Sequence, residues 1–189
     1  HKPRIDMELL SDHGDGIIVV SGCMNGLISK AIERGDMEKA REYTRWFKNR
    51  FGDDFYIEIQ AHNPVDLNMG LLNLADEFGV KPVVTSDAHF DSPEQRALEE
   101  VLLIISTKPD MNKEADYESA KKRKNIFERL NYLYPDRPIS FEEIDVYIQD
   151  RSEIEKSMRA QGIDRTDIYD NTVEIGNKIG EYEFYENLE

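Results

Sequence analysis

Two runs of mainly β-branched residues, Ile17-Ile18-Val19-Val20 and Val83-Val84-Thr85-Ser86 behind Pro82, constrain the fold most. The first has no polar position at all, and such a run reads as a strand covered on both faces, the habit of a parallel sheet. Between the two lies a third strand-like segment, Phe55 to Ala61, built differently. Phe55, Ile57, Ile59 and Ala61 alternate with Tyr56, Glu58, Gln60 and His62, so one face is apolar and the other polar. In an open sheet that polar face is wet; in a small α/β barrel it looks into a polar cavity.

The segments around these strands have helical spacing. Asp6 to His13, Gly26 to Arg34, Met37 to Arg50, Asn63 to Phe78 and a stretch opening at Ser92-Pro93 each place apolar residues on one side. In the third of these, Ala40, Tyr43, Trp46 and Phe47 read as core; in the last, Ala97, Leu98, Val101, Leu102 and Ile105 form the apolar side. After a first short helix the order is β-α-α-β-α-β-α with short connections, which predicts an α/β fold with parallel strands at 17–20, 55–61 and 82–86.

Beyond Ile105 the pattern loosens. Residues 106–119 read as a loop, and Lys121-Lys122-Arg123-Lys124 is the one basic cluster, read as a solvated helical face. Residues 144–149 alternate like a strand, and Asp150–Arg159 and Arg165–Ile179 read as helices. The formal charge of −15 argues against this chain being a main nucleic-acid grip, because a phosphate backbone needs a cationic face. A single cysteine leaves no internal disulfide and is compatible with a reducing cytosol, and no apolar run approaches a membrane span.

Three residues stand where strands end. Ile17–Val20 delivers Ser21-Gly22-Cys23, and the last strand delivers Asp87-Ala88-His89. Parallel α/β folds place their chemistry at the carboxyl ends of strands. If Asp87 and His89 continue the strand, both side chains leave one face, a pairing that suits a divalent metal. The alternatives are a helix-capping Asp beside a surface His, and a Cys that is a small buried residue. His62, at the end of the middle strand, is a weaker candidate, read as a solvent-exposed loop residue.

Taken together, Gly16-Ile17-Ile18-Val19-Val20-Ser21-Gly22-Cys23, Phe55-Tyr56-Ile57-Glu58-Ile59-Gln60 and Thr85-Ser86-Asp87-Ala88-His89 resemble the PHP domain of bacterial and phage DNA polymerase III alpha subunits. Lys2-Pro3-Arg4-Ile5-Asp6, the stretch from Glu99 to Ile104 with Thr107, and Asn171-Thr172-Val173-Glu174-Ile175 resemble further family segments. The resemblance implies a partial distorted β/α barrel, PHP-type and TIM-like, with a helix-rich C-terminal part. It implies the C-terminal part of that barrel over 1–107, a variable loop and helix insertion over 108–150, and closing helices over 151–189 that lead toward a polymerase palm. Cys23, Asp87 and His89 match family metal ligands, with zinc, manganese or magnesium as the divalent metal, incompletely bound because the upstream His-x-His motif has no counterpart. Glu58 and Gln60 match residues with a structural role.

The implied function is that of a metal-binding piece of a replicative polymerase subunit, supporting DNA synthesis and 3′–5′ proofreading in the longer protein but inactive alone. Its implied partners are the rest of the polymerase chain and replisome subunits. DNA belongs to the longer protein and binds weakly or not at all to this acidic piece; no membrane is involved, and the location is cytoplasmic. The alternative is a free-standing, metal-dependent PHP phosphoesterase.

Overall fold

The structure is a computed structural model that describes residues 4–181. Lys2 and Pro3 of the opening resemblance, and the last eight residues of the 151–189 segment, lie outside the described residues. The chain divides into two compact units, one made of residues 1–85 with 151–189 and one of residues 86–150.

The first unit is built on a three-stranded parallel sheet in the order β1-β2-β3, with β1 at Val19–Val20, β2 at Phe55–Gln60 and β3 at Lys81–Thr85. Val19 pairs with Phe55, Tyr56 with Lys81 and Gln60 with Thr85, a register that aligns the three carboxyl ends. The middle and last strands lie where the apolar pattern predicts them. β1 is shorter than predicted: Ile17 and Ile18 precede the ladder, and Ile17 and Val20 are exposed. The expected burial on both faces is not found there, and among the described residues β1 pairs with β2 alone. The polar face of β2 is not wet, as it would be in an open sheet, since all six of its residues are buried.

Helix α1 (Met7–Asp12) is capped by Asp6, whose carboxylate accepts from the Leu9 amide, and α3 (Met37–Phe51) is capped in the same way by Asp36 and the Lys39 amide. Between them runs α2 (Leu27–Glu33), and α4 (Val65–Phe78) links β2 to β3. The core forms where Ile57 and Ile59 of β2 meet Leu67, Leu71, Leu74 and Ala75 of α4, Ile28 and Ala31 of α2, and Ala40 of α3. Phe47 stacks on Phe51 and Phe55, and Trp46 meets Phe47 edge-on while staying half-buried.

Two helices return to this unit from the far end of the sequence, α8 (Arg151–Ala160) and α9 (Asp167–Lys178). Met158, Ile163 and Ile168 enter the same core. Along the open side of β3, Asn171 Nδ2 donates to the Pro82 carbonyl at 2.8 Å, and the Thr172 hydroxyl lies 3.4 Å from that of Val84. Both residues belong to the motif that carries the family resemblance, and here they cover strand carbonyls that no neighbouring strand reaches. At the amino end of the sheet, Tyr56 donates to Glu174 at 2.8 Å and Lys81 at 2.5 Å. Burial pushes the Tyr56 hydroxyl up from its ordinary value, while the Lys81 ammonium and then the Tyr56 hydroxyl hold the Glu174 carboxyl below its own.

The second unit is helical: a 3-10 turn at Pro93–Gln95, then α5 (Arg96–Thr107), α6 (Tyr117–Lys121) and α7 (Ile126–Leu133). Three expectations change here. Residues 144–149 form no strand, only a single parallel bridge from Tyr147 to Phe90. The basic cluster does not lie along a helix, because α6 ends at Lys121 and the next three residues turn. The apolar side of α5 is only partly covered, with Ala97 and Val101 half-buried, Leu98, Leu102 and Ile105 exposed, and Glu100 the one fully buried residue of the helix. Glu100 is drawn inward by the Arg137 guanidinium, the Ser140 hydroxyl and the Phe141 amide, which together give a buried carboxylate a full set of donors.

Candidate functional site

Cys23 sits in a tight turn at the end of β1. The Ser21 amide donates to the Tyr56 carbonyl at 3.0 Å, and the Ser21 hydroxyl accepts from the Glu58 amide at 2.9 Å, so β2 fixes the base of the turn twice. Gly22 then takes a φ of +80°, and the Gly26 amide closes onto the Cys23 carbonyl at 2.8 Å. A Cβ at Gly26 would fall 2.4 Å from the Ser21 oxygen, so only glycine leaves room for this closure. The Cys23 side chain is half-buried and unbridged.

The middle strand ends in a loop held by amides. Asn68, buried in α4, donates to the Gln60 carbonyl and to Gln161 Oε1, both at 2.8 Å, and accepts from Asn63 at 3.1 Å. Gln161 in turn donates to the Ala61 carbonyl at 2.5 Å. His62 is thereby held in a fixed, half-buried loop, where the sequence reading expects an exposed one.

Asp87 and His89 belong to the second unit. β3 ends at Thr85, and Asp87 has a φ of +49°, so the chain leaves the extended conformation before the pair. Strand alternation therefore does not place these two side chains. The turn does something else: it brings the Asp87 carbonyl to His89 Nδ1 at 2.6 Å. A carbonyl only accepts, so Nδ1 carries the proton and the Nε2 lone pair is left for another partner. Metal-binding histidines are oriented by that kind of second hydrogen bond. The His89 amide donates to the Val146 carbonyl at 2.7 Å, and its ring packs on Phe141 with centroids 4.6 Å apart.

Among the described residues, no three or more His, Cys, Asp or Glu side chains stand together in a group that could hold a metal ion. The individual donors suit a borderline metal, thiolate and imidazole above all, but the set does not amount to a complete site.

Glu58 and Gln60, to which the resemblance gives a structural role, form a grouping on the sheet face opposite Ile57 and Ile59. Glu58 Oε1 accepts from the Thr85 hydroxyl at 2.6 Å and from Gln60 Nε2 at 2.8 Å. The signal for it is the period-two pattern of β2 itself, since a buried strand with polar residues at alternate positions must partner them across the sheet.

Residues 1–62 match the PHP domain family, so Cys23, Glu58 and His62 fall inside the match and Asp87 and His89 follow it. The chain is also similar to DNA polymerase III alpha subunits: 38% identical over 111 residues to that of Aquifex aeolicus, covering 57% of this chain and 10% of that protein. The Deinococcus radiodurans subunit is 37% identical over 116 residues, covering 57% and 8%. The Borreliella burgdorferi subunit is 31% identical over 150 residues, covering 75% and 13%. The chain therefore spans about a tenth of the length of the curated relatives it matches. The resemblance drawn from the strand-end motifs is the one these relatives bear out. No helix among the described residues is long and apolar enough to cross a membrane.

Proposed function

We propose that this chain acts as part of a DNA polymerase III alpha subunit, contributing PHP-domain structure that supports DNA synthesis in the longer protein. The observation that carries the reading is the similarity to such subunits over as much as 75% of the chain. Within it, Cys23, Asp87 and His89 are assigned as metal ligands by their match to the family's ligand positions, with zinc, manganese or magnesium as the divalent metal. The Nδ1 hydrogen bond that frees His89 Nε2 supports that role for His89. A bound ion would supply Lewis-acid activation of water for 3′–5′ proofreading in the longer protein.

The partners are the remainder of the polymerase chain and replisome subunits, in the cytoplasm, with DNA held mainly by other parts. On their own these 189 residues perform no primer extension and little hydrolysis of single-stranded DNA. The test is cobalt titration followed by absorbance. A thiolate-to-cobalt band that vanishes in Cys23→Ser and weakens in His89→Gln supports the assignment, and a band absent from the unmodified chain overturns it. Robust manganese-dependent nuclease activity by the chain alone, abolished by Asp87→Asn, would instead favour the free-standing phosphoesterase.

A further inference from the structure

The first helices of the first unit carry a groove of mixed character, with Leu27 of α2 and Tyr43 of α3 at its centre. On one side of them Ile5, Met7 and Leu10 line an apolar stretch of about 340 Å3. On the other, Lys30, Arg34 and Lys39 line a cationic stretch of about 250 Å3. Leu27 and Tyr43 border both stretches, so the two form one continuous groove.

Each end has groups left over. Ile5 is 59% exposed and Leu27 47%, so the apolar end is not covered by the helices that form it. At the other end, Lys30 and Arg34 make no ion pair among the described residues, in a chain whose formal charge is −15. They stand four positions apart at the end of α2, where the helix dipole favours positive charge but supplies no discrete partner. The two carboxylates that line the groove are turned to helix starts instead. Asp6 accepts from the Leu9 amide and Asp36 from the Lys39 amide. Lys39 alone has a counter-ion, Glu42 at 2.7 Å, and its Nζ lies over the Tyr43 ring, 4.9 Å from the centroid. A ligand that fits both ends therefore carries negative charge beside apolar bulk. A phosphate backbone does not, because it would set charged groups against Ile5, Met7 and Leu10. A peptide does, since side chains of both kinds follow one another along a single narrow backbone.

We propose that this groove docks an acidic, apolar peptide segment of a partner protein. Its Asp or Glu side chains lie against Lys30 and Arg34, and its large aliphatic or aromatic side chains against Leu27, Tyr43 and Met7. The carboxylates bring counter-charge to two cations that have none, which sets the orientation of the segment, and the apolar contact covers Leu27 and Ile5. The groove uses none of Cys23, Asp87 and His89, and it stands whether or not they hold a metal.

The test is selection from a phage-displayed library of random peptides on the full chain, followed by fluorescence anisotropy of fluorescein-labelled synthetic copies. Enriched peptides are expected to carry several acidic residues beside large apolar ones. Their affinity should fall at least about tenfold in Lys30→Gln combined with Arg34→Gln, and that loss should shrink as salt is raised. It should fall by at least about tenfold in Leu27→Asp as well, from loss of the apolar contact. The Asp stands in the first turn of α2, where a negative charge favours the helix, and thermal unfolding establishes that each variant folds. Should the library yield no enriched peptide, or peptides rich in Lys and Arg, or binding indifferent to either change, the proposal fails. Sedimentation of the chain with phosphatidylglycerol vesicles, where no peptide binds, would also overturn it by placing a bilayer at this surface.

Discussion

Arg137→Met tests whether the second unit is organised around a buried charge. Glu100 is fully buried, and the Arg137 side chain is 7% exposed, with Nε 3.1 Å from Glu100 Oε2. The guanidinium also donates to Asn131 and to the Ser140 hydroxyl, so removing it strips the carboxylate of its paired cation and unseats two neighbours. Breaking a buried pair from one side costs about 3–5 kcal/mol, because the remaining charge keeps its desolvation penalty and loses its attraction. At about 1.4 kcal/mol per factor of ten, protected amides of α5 and of residues 137–146 should exchange about a hundred to several thousand times faster. Hydrogen exchange with mass spectrometry is the suitable assay, since the single Trp46 lies in the other unit and reports little of this one. The double variant Glu100→Leu, Arg137→Met should recover most of the loss, because two apolar groups leave no charge uncompensated. An exchange increase below about fivefold in the single variant, which is about 1 kcal/mol, would mean that the pair is effectively solvated. A double variant as damaged as the single one would place the cost in lost hydrogen bonds and not in charge.

The remaining predictions concern the first unit. Glu174 has its pKa lowered on folding by Lys81 and then Tyr56, so it adds stability above its ordinary value of 4.5 and loses it as pH falls through the folded value. Urea midpoints followed by Trp46 fluorescence should decline on acidification through the carboxylate range, with a shallower decline in Glu174→Gln. Gly26→Ala forces a Cβ against the Ser21 carbonyl oxygen at 2.4 Å and should cost about 1–3 kcal/mol, seen as a lower urea midpoint with faster labelling of the Cys23 thiol. Asn68→Ala removes the donor to the Gln60 carbonyl and the tie to Gln161, costing about 1–3 kcal/mol and speeding exchange at residues 61–63; unchanged protection there would show the loop to be held by other means.

Much of the first unit was legible in the sequence because its signals are local. Asp6 and Asp36 announce helix starts, Gly79 ends α4 in a left-handed conformation, and Phe55–Gln60 shows its period without help. What was not legible depends on partners far along the chain. Nothing near β1 reveals that it is an edge. The inward turn of Glu100 is decided by residues 37 to 41 positions away, so the Leu98, Leu102 and Ile105 side of the same helix misleads. The strand ends of Cys23 and Asp87 were legible as places; the Asp87 turn was not, because a left-handed Asp leaves no mark in an otherwise extended pattern. The link from Glu58 to Thr85 needs the register of β2 on β3, which only the folded chain supplies.

The side chains of Asn171 and Thr172 have a consequence for how this sheet can grow. They face the carbonyls of Pro82 and Val84, and Pro82 has no amide hydrogen to offer, so β3 makes a poor template for an incoming strand. Among the described residues, nothing pairs with the far side of β1. Extension therefore has a direction. A strand added to this sheet would meet less obstruction beside Val19 and Val20 than beside β3.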